Sequence, residues 1–238
     1  MEAFDDVFII SFPKAGRTWV RVMLAKLLEM NGGDPKRLEL IKHDHDGMGD
    51  LIHQPSRDRW KNNRIILLIR DPRDIIVSFY FHVTLREERI WHYHGSMSQF
   101  IKDPKYGISN IIKFYNGWQK DKHVPKDLIV VRYEDMKDNP VKELQRMCEM
   151  LGVDSVIDDL HEIVEYSSFE NMKQMDLKKI PHLLINNGTL GTVGATPEGL
   201  KVRRGKVGGF VDYLSYEEID YVNNAMIKLH PSFGYKIL

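Results

Sequence analysis

The stretch VFIISFPKAGRTWVRVMLAKLLEM, residues 7–30, decides the fold of this chain. It begins with four apolar residues of strand type, breaks at residues 11–16, and continues with apolar residues at helical spacing. A strand, a tight loop and a helix bring unpaired backbone N–H groups and the positive end of the helix dipole to one point. The pattern predicts an anion site there. Lys14 adds a charge, Thr18 adds a hydroxyl, and Gly16 lets the backbone approach a phosphate.

This loop differs from a Walker A phosphate loop, in which Lys directly follows the second glycine. Here Lys14 precedes the only loop glycine, Gly16, by two positions, and Trp19 follows the threonine. Taken alone, the stretch also fits an ordinary strand–helix turn that carries a surface lysine.

The composition predicts one globular domain over residues 1–238, with 42% hydrophobic and 29% charged residues. Lys and Arg number 34, as do Asp and Glu, so no overall charge favours nucleic acid or an anionic membrane. No apolar run approaches the roughly 20 residues that span a bilayer, and the acidic N-terminus lacks signal-peptide features. The lone Cys148 excludes an intrachain disulfide and a multi-cysteine zinc site. A soluble, cytoplasmic protein is therefore expected.

Further apolar runs alternate with helical patterns along the chain. The run RIILLI at residues 64–69 and the run LIVV at 128–131 are typical of buried parallel strands. Other elements are predicted as a strand at 38–42, helices at 50–60, from 72, at 140–151 and at 156–165, a long loop at 175–209, and a final helix capped by Ser215 and Glu218. This order predicts an α/β fold with a central parallel sheet flanked by helices and a site at the carboxyl ends of the strands.

Five motifs in order resemble the sulfotransferase family over residues 9–210. They are FPKAGRTW from residue 12, RDPRDIIVS from 70, YEDMKDNP from 133, SSFENMK from 167 and RRGKVGGF from 203. That family has a P-loop-like nucleotide-binding architecture and transfers a sulfuryl group from 3'-phosphoadenylyl sulfate (PAPS), which leaves 3'-phosphoadenosine 5'-phosphate (PAP). The resemblance implies the same fold, donor and reaction here.

The resemblance also implies which residues bind the donor. Lys14 would approach the oxygen that bridges phosphate and sulfur and stabilise its charge as that bond breaks. Arg70 and Ser78 match the pair that binds the 3'-phosphate, a task that suits a guanidinium. The implied set is Lys14, Ala15, Gly16, Arg17, Thr18, Trp19, Arg70, Ser78, Tyr133, Ser167, Phe169, Arg203, Arg204 and Gly205.

Several of these residues have a plainer alternative. Arg70 alone would also fit an ion pair with a neighbouring Asp, and a lone Tyr or Phe is often core. The late basic loop, residues 203–205, matches a segment that closes over the 3'-phosphate but would also fit a solvated loop. Arg17 stands where the family has a small hydroxyl residue, and either adds charge at the 5'-phosphate or points to solvent. Ala15 stands where Ser is common, and Gly209-Phe210 replaces the family's Asp-Trp.

The base is expected to be a histidine, because its pKa lies near neutrality. The family places one at the end of the strand after the opening helix, and His45 fits its sequence context better than His43. Asp44 or Asp46 would orient such a histidine. The same HDHD string, residues 43–46, would alternatively suit a metal site.

The implied mechanism is in-line displacement at sulfur on a hydroxyl or amine of a small-molecule or glycan acceptor. His45 takes the proton, Lys14 stabilises the leaving phosphate, and Ser78 tunes Lys14. No metal is required, because Lys14 and the helix N-terminus supply positive charge. The candidates for the acceptor pocket are aromatic or histidine residues: Phe79, Phe81, His82, Trp91, Tyr93, Phe114, Tyr115 and Trp118.

Two other functions stay open at this point. A nucleotide-dependent phosphotransferase of the kinase-like P-loop class would require ATP and magnesium. A non-catalytic module would bind PAP without turnover. The dimer motif K-x-x-x-T-V of cytosolic family members has no match after residue 210, so the oligomeric state is left open.

Overall fold

The protein is described by a computed structural model for residues 6–32, 56–85, 92–177 and 202–237, and for the backbone of Lys42–Asp44. Within these residues the sheet has four parallel strands in the order β2-β1-β3-β4. The strands are β1 (Val7–Ser11), β2 (Lys42–Asp44), β3 (Arg64–Ile69) and β4 (Asp127–Arg132). The predicted α/β fold with a central parallel sheet is confirmed.

Nine α-helices lie within the described ranges. They are α1 (Arg17–Met30), α2 (Pro72–Leu85), α3 (Met97–Lys102), α4 (Ile108–Lys120), α5 (Tyr133–Asp138), α6 (Pro140–Leu151), α7 (Ile157–Tyr166), α8 (Phe169–Leu177) and α9 (Tyr216–Met226). Short 3-10 helices follow at Arg57–Trp60, Gly209–Asp212 and Pro231–Phe233. Within these same ranges, every helix is too short or too polar to cross a membrane.

The core lies between the sheet and its helices. Nearly all side chains of β1 and β3 are buried, as expected for parallel strands that are covered by other elements on both faces of the sheet. Phe12, which follows β1, packs edge-to-face against Phe79 of α2 and Phe114 of α4, with ring centroids 5.8 and 5.7 Å apart. These contacts fix the start of the loop after β1 to two helices. Cys148 is buried in the same core, and burial raises the pKa of its thiol to about 11.

Most predicted elements occur at or near their predicted positions. The helix predicted at 140–151 is α6, and Ser215 caps α9 through a reciprocal pair of hydrogen bonds with Glu218. The long loop predicted from residue 175 is wrong at its start, because residues 175–177 complete α8. Residues 38–41, 50–55 and 178–201 lie outside the described part of the chain.

The topology brings three chain segments to one edge of the sheet. Because the strands are parallel, the loop after β1, the connection after β3 and the start of α5 after β4 all lie at the carboxyl ends of strands. These segments carry three of the sequence motifs, which begin at Phe12, Arg70 and Tyr133.

Candidate active site

The turn after β1 has an unusual backbone. Lys14 has a φ of 73°, and it is the one non-glycine residue with a positive φ in the described ranges. Gly16, two positions later, has a φ of 106°. A left-handed conformation at a lysine is sterically costly, and such costs concentrate at functional turns. The turn is closed by hydrogen bonds from Ala15 N to Phe12 O (3.4 Å) and from Trp19 N to Gly16 O (2.9 Å).

The start of α1 packs against aromatic rings. No side chain caps this helix end, because the N-cap residue is Gly16. A Cβ atom on Gly16 would lie 2.7 Å from Cδ2 of Tyr133, so only glycine allows the turn to approach that ring. Trp19 meets the same ring edge-to-face at 5.8 Å, and its Nε1 donates to Ser167 Oγ at 3.3 Å. The turn and three aromatic or hydroxyl residues therefore form one side of a cavity.

Arg70 lies directly after β3, and its guanidinium reaches the same cavity. It stands over the ring of Tyr133, 4.3 Å from the ring centre. Its Nη1 donates to Lys14 O at 3.4 Å, its Nη2 donates to Lys206 O at 2.9 Å, and Nη2 lies 3.6 Å from a carboxylate oxygen of Asp74. Its buried Nε has no hydrogen-bond partner among the described residues. Arg70 thus joins the lysine turn to a late segment of the chain.

One face of α2 also lines the cavity. Asp74, Ser78 and His82 are four residues apart, so they follow one another on the same side of the helix. The carboxylate of Asp74 accepts hydrogen bonds from the backbone N–H groups of Gly208 (2.9 Å) and Phe210 (3.0 Å). Burial raises the pKa of Asp74, although the nearby Arg70 charge opposes that shift.

The opposite side of the cavity is the segment at residues 202–213. Gly205, with a φ of 60°, lies on the ring of Phe169, where a Cβ atom would come within 2.5 Å of Cδ2. The guanidinium of Arg203 lies between the rings of Phe81 and Tyr213, at 4.6 and 4.8 Å, and donates to the Tyr213 hydroxyl. Burial lowers the pKa of Arg203.

The connection between β3 and α2 is held by buried charged groups. The carboxylate of Asp71 accepts from the N–H of Arg73 at 2.9 Å and pairs with its guanidinium at 2.7 Å. The N–H of Asp71 donates to Glu134 Oε1 at 2.8 Å, and the other oxygen of Glu134 accepts from the Tyr235 hydroxyl at 3.0 Å. Burial raises the pKa of Glu134.

Together these segments enclose a cavity of about 330 Å³. Every residue that the motifs predicted for donor binding lines it except Ala15, which is completely buried. Arg17 lines the cavity too, and its contribution of charge at the 5'-phosphate stays a prediction. Asp74, His82 and Lys137 also line the cavity but were not among the predicted donor-binding residues. The four-residue spacing from Ser78 is the sequence signal that would have identified the first two.

The acceptor-pocket prediction is mostly wrong for the aromatic residues. Of that set His82 lines the cavity, whereas four members are at most 5% exposed and belong to the hydrophobic core: Phe79, Phe114, Tyr115 and Trp118. They lie in the hydrophobic core where α2 and α4 pack together, a setting in which aromatic side chains contribute strongly to stability. Tyr93 packs against the ring of Phe100 at 5.0 Å, and Trp91 lies outside the described residues.

The structure leaves the two candidate bases untested. In the backbone, His43 pairs with Ile9 in the β1–β2 ladder, which puts β2 beside the strand that carries the lysine turn. His45 lies outside the described residues, and so do the side chains of residues 42–46. In the part of the chain that the structure describes, no cluster of His, Cys, Asp and Glu is arranged to hold a metal ion.

Comparison with known proteins gives consistent matches. Residues 52–231 match the sequence model of the family described as Sulfotransferase domain. Sulfotransferase 1 family member D1 of Mus musculus is 27% identical over 202 residues, which cover 71% of this chain and 66% of that protein. The 3-alpha-hydroxysteroid sulfotransferase of Cavia porcellus is 25% identical over 260 residues, covering 90% and 88%. The crystal structure of mouse sulfotransferase SULT7A1 complexed with PAP has a TM-score of 0.66 at 20% identity, covering 94% and 84%.

Proposed function

Because the chain belongs to the sulfotransferase family, its reaction is sulfuryl transfer, and we propose that the cavity described above binds PAPS as the donor. The observation that carries this proposal is the meeting of cations from three distant segments at one cavity. Lys14 comes from the first turn, Arg70 from the end of β3, and Arg203 and Arg204 from the late basic loop. A volume of about 330 Å³ lies within the usual range for ligand sites.

The lining of the cavity fits a nucleotide that carries charge at two ends. Lys14 and the uncapped start of α1 offer one anion site, and Arg70 with the late basic loop offers a second. Trp19, Tyr133 and Phe169 supply flat apolar surfaces of the kind that hold a purine. The related mouse structure is a PAP complex, which supports the same nucleotide here.

We assign the reaction to this chain's own residues as follows. An acceptor oxygen or nitrogen attacks sulfur, the bond from sulfur to the bridging phosphate oxygen breaks, and the acceptor proton passes to a histidine. His45 is the proposed base and His43 is its alternative. Lys14 stabilises the charge on the departing phosphate, and Ser78, which lines the same cavity, is the residue proposed to tune Lys14. The donor supplies the sulfuryl group.

The proposed acceptor is a small molecule or carbohydrate with a hydroxyl or amine. One relative is named as a hydroxysteroid sulfotransferase, which supports a small hydroxyl-bearing acceptor. His82, at the described wall of the cavity, offers an imidazole on the same face of α2 as Asp74 and Ser78.

A single domain and a cytoplasmic location are also proposed. The family match begins at residue 52 and ends at residue 231, and the strand and turn at residues 7–16 complete the same sheet. The free, buried Cys148 suits a reducing compartment.

The test combines nucleotide binding with turnover. We expect PAP to raise the melting temperature of the protein and ATP with magnesium to leave it unchanged, because a ligand stabilises the native state by mass action. Turnover of PAPS is then measured across an acceptor panel for the wild type, Lys14→Ala and His45→Ala. Near-normal rates in either variant would remove that residue from its role. A shift with ATP and magnesium would favour a phosphotransferase, and a PAP shift without turnover would favour a binding module.

A further inference from the structure

The hydroxyl of Tyr115 holds the backbone of Arg70 at the edge of the sheet, and we propose that this makes Tyr115 a positioning residue for recognition of the donor's 3'-phosphate. The inference rests on the proposed function, in which Arg70 binds that phosphate. Tyr115 itself is completely buried in α4 and does not line the cavity, so it acts only through Arg70.

One phenol satisfies both backbone groups of Arg70. Arg70 N donates to the Tyr115 hydroxyl at 2.8 Å, and the same hydroxyl donates to Arg70 O at 2.8 Å. The β3–β4 ladder ends with Ile69 opposite Arg132, so Arg70 lies just beyond the regular strand pairing. Buried backbone groups need partners, and here a side chain replaces the missing strand neighbour. Burial raises the pKa of Tyr115 well above its ordinary value, so the neutral hydroxyl can donate and accept.

A fixed backbone at Arg70 matters because, among the described residues, its guanidinium makes one short hydrogen bond beside its stacking on the ring of Tyr133. Of its contacts, the one to Lys206 O is 2.9 Å long, whereas those to Lys14 O and Asp74 are 3.4 and 3.6 Å. Recognition of phosphate by a guanidinium depends on the orientation of its planar fork. The direction in which the side chain leaves the backbone therefore decides whether the fork faces the cavity, and Tyr115 fixes that direction.

Packing accounts for the ring of Tyr115 but leaves its hydroxyl unexplained. The ring meets those of Phe114 at 6.1 Å and Phe233 at 5.3 Å, and a phenylalanine would make the same contacts. Within the described residues, the hydroxyl bonds only to Arg70. Removing the hydroxyl alone therefore separates positioning of Arg70 from packing of the core.

The experiment measures the dissociation constants of PAP and of adenosine 5'-phosphate, which lacks the 3'-phosphate, by calorimetry on the full chain. For Tyr115→Phe we expect PAP affinity to fall on the order of tenfold, as for the loss of one or two hydrogen bonds, and adenosine 5'-phosphate affinity to change less than about twofold. The matched control is Tyr80→Phe, which removes a phenol of α2 that donates to Gly95 O at 3.2 Å and belongs to a residue outside the described cavity lining. The control should keep the wild-type ratio of the two constants.

A second background tests whether the effect passes through Arg70. The ratio is the dissociation constant of adenosine 5'-phosphate divided by that of PAP, so a high value means a preference for PAP. In Arg70→Gln this ratio should already be low, and adding Tyr115→Phe should not lower it further. An unchanged ratio in Tyr115→Phe, or an equal further fall in the Arg70→Gln background, overturns the inference while the proposed function stands. A wild type that does not prefer PAP overturns both. If Tyr115→Phe is partly unfolded, the ratio still separates the outcomes, because unfolded molecules lower the apparent affinity for both nucleotides alike.

Discussion

The cavity has two walls of different construction. The sheet-edge wall, residues 11–19, belongs to a strand–turn–helix unit whose ends are fixed by the β1 ladder and by α1. The arginine segment, residues 202–213, contains no strand and is held by contacts to residues far away in sequence, such as the bonds from Gly208 and Phe210 to Asp74. The first wall is therefore built from regular secondary structure, whereas the second is held in place by contacts to residues distant in sequence.

The two walls nevertheless share a local device. Gly16 lies against the ring of Tyr133, and Gly205 lies against the ring of Phe169, both with a positive φ. Around Gly16 the neighbouring Ala15 is completely buried, whereas Gly205 is flanked by residues exposed to solvent. The same contact is therefore expected to support folding in one wall and ligand affinity in the other.

The largest expected effect is on catalysis, where a cation of the sheet-edge wall should matter more than a cation of the arginine segment. Lys14→Ala should lower kcat/KM for PAPS by about a thousandfold, because it removes charge stabilisation where the bond breaks. Arg204→Ala should cost about tenfold or less, because Arg204 is exposed and paired with Asp212 at 2.9 Å. Steady-state turnover measures both variants. Lys26→Ala, on the far part of α1, is the control, and a loss at Arg204 as large as that at Lys14 would remove the distinction.

The next effect is on stability. Gly16→Ala should lower the free energy of unfolding by about 3 kcal/mol, because an alanine is strained at that φ and its Cβ would collide with Tyr133. Denaturant unfolding measures the loss. The control is Gly152→Ala, whose φ is 67° and whose surroundings are open, so about 1 kcal/mol is expected there. Equal losses would show that the ring contact contributes nothing.

A smaller effect is expected from the matching substitution in the arginine segment. Gly205→Ala should move the segment away from the ring of Phe169 and weaken PAP binding about tenfold, while the free energy of unfolding falls by only the roughly 1 kcal/mol expected for the positive φ alone, as for Gly152→Ala. Calorimetry and denaturant unfolding give the two values. Gly208→Ala, with a φ of 69° and no atom near the added Cβ, is the control. A stability loss comparable to that of Gly16→Ala would mean that both walls are equally part of the fold.

The smallest effect concerns Glu134, which accepts a hydrogen bond from the N–H of Asp71, the residue after Arg70. It is measured as a pH dependence of the free energy of unfolding. Because burial raises the folded-state pKa of Glu134 above its ordinary 4.5, its carboxyl contributes stability that is complete below pH 4.5 and is lost as the pH rises through the folded-state value. Glutamine does not titrate. The stability of the wild type relative to Glu134→Gln should therefore fall as the pH rises from about 4.5 through the folded-state pKa of Glu134, by about 1.4 kcal/mol for each unit of pKa difference.

Urea unfolding across this pH range measures that difference. Glu149→Gln, at an exposed position of α6, controls for the removal of one charge. A relative stability that rises with pH would contradict the effect of burial and point to dominant pairing of the Glu134 carboxylate.

The sequence predicted the elements whose signals are local. The apolar run at residues 64–69 is β3, and Pro72 begins α2 as its fixed φ and missing N–H allow. The spacing of Arg70 and Ser78 across that strand–helix junction placed both at one cavity, because a strand end and the helix that follows it are neighbours in any fold. These inferences needed only periodicity, turn chemistry and a family resemblance.

Aromatic residues show where local signals fail. Tyr115 and Tyr133 look alike in sequence, yet one is sealed in the core behind Arg70 and the other faces the cavity beneath the guanidinium. Both are almost completely buried, so hydrophobicity alone gives them the same environment. Only the packing of α4 and α5 against the sheet edge decides between them.

The sequence by itself determined the parallel α/β framework, the lysine turn and the order of the motifs whose residues line the cavity. The tertiary structure decided which residues hold those motifs in place: Asp74 fastens the arginine segment, Glu134 holds the N–H of Asp71, and Tyr115 holds Arg70. The physical reason is separation along the chain. A strand or helix is set by neighbours within a few residues, whereas these hydrogen bonds join positions 45 to 134 residues apart and form only when the fold brings them together.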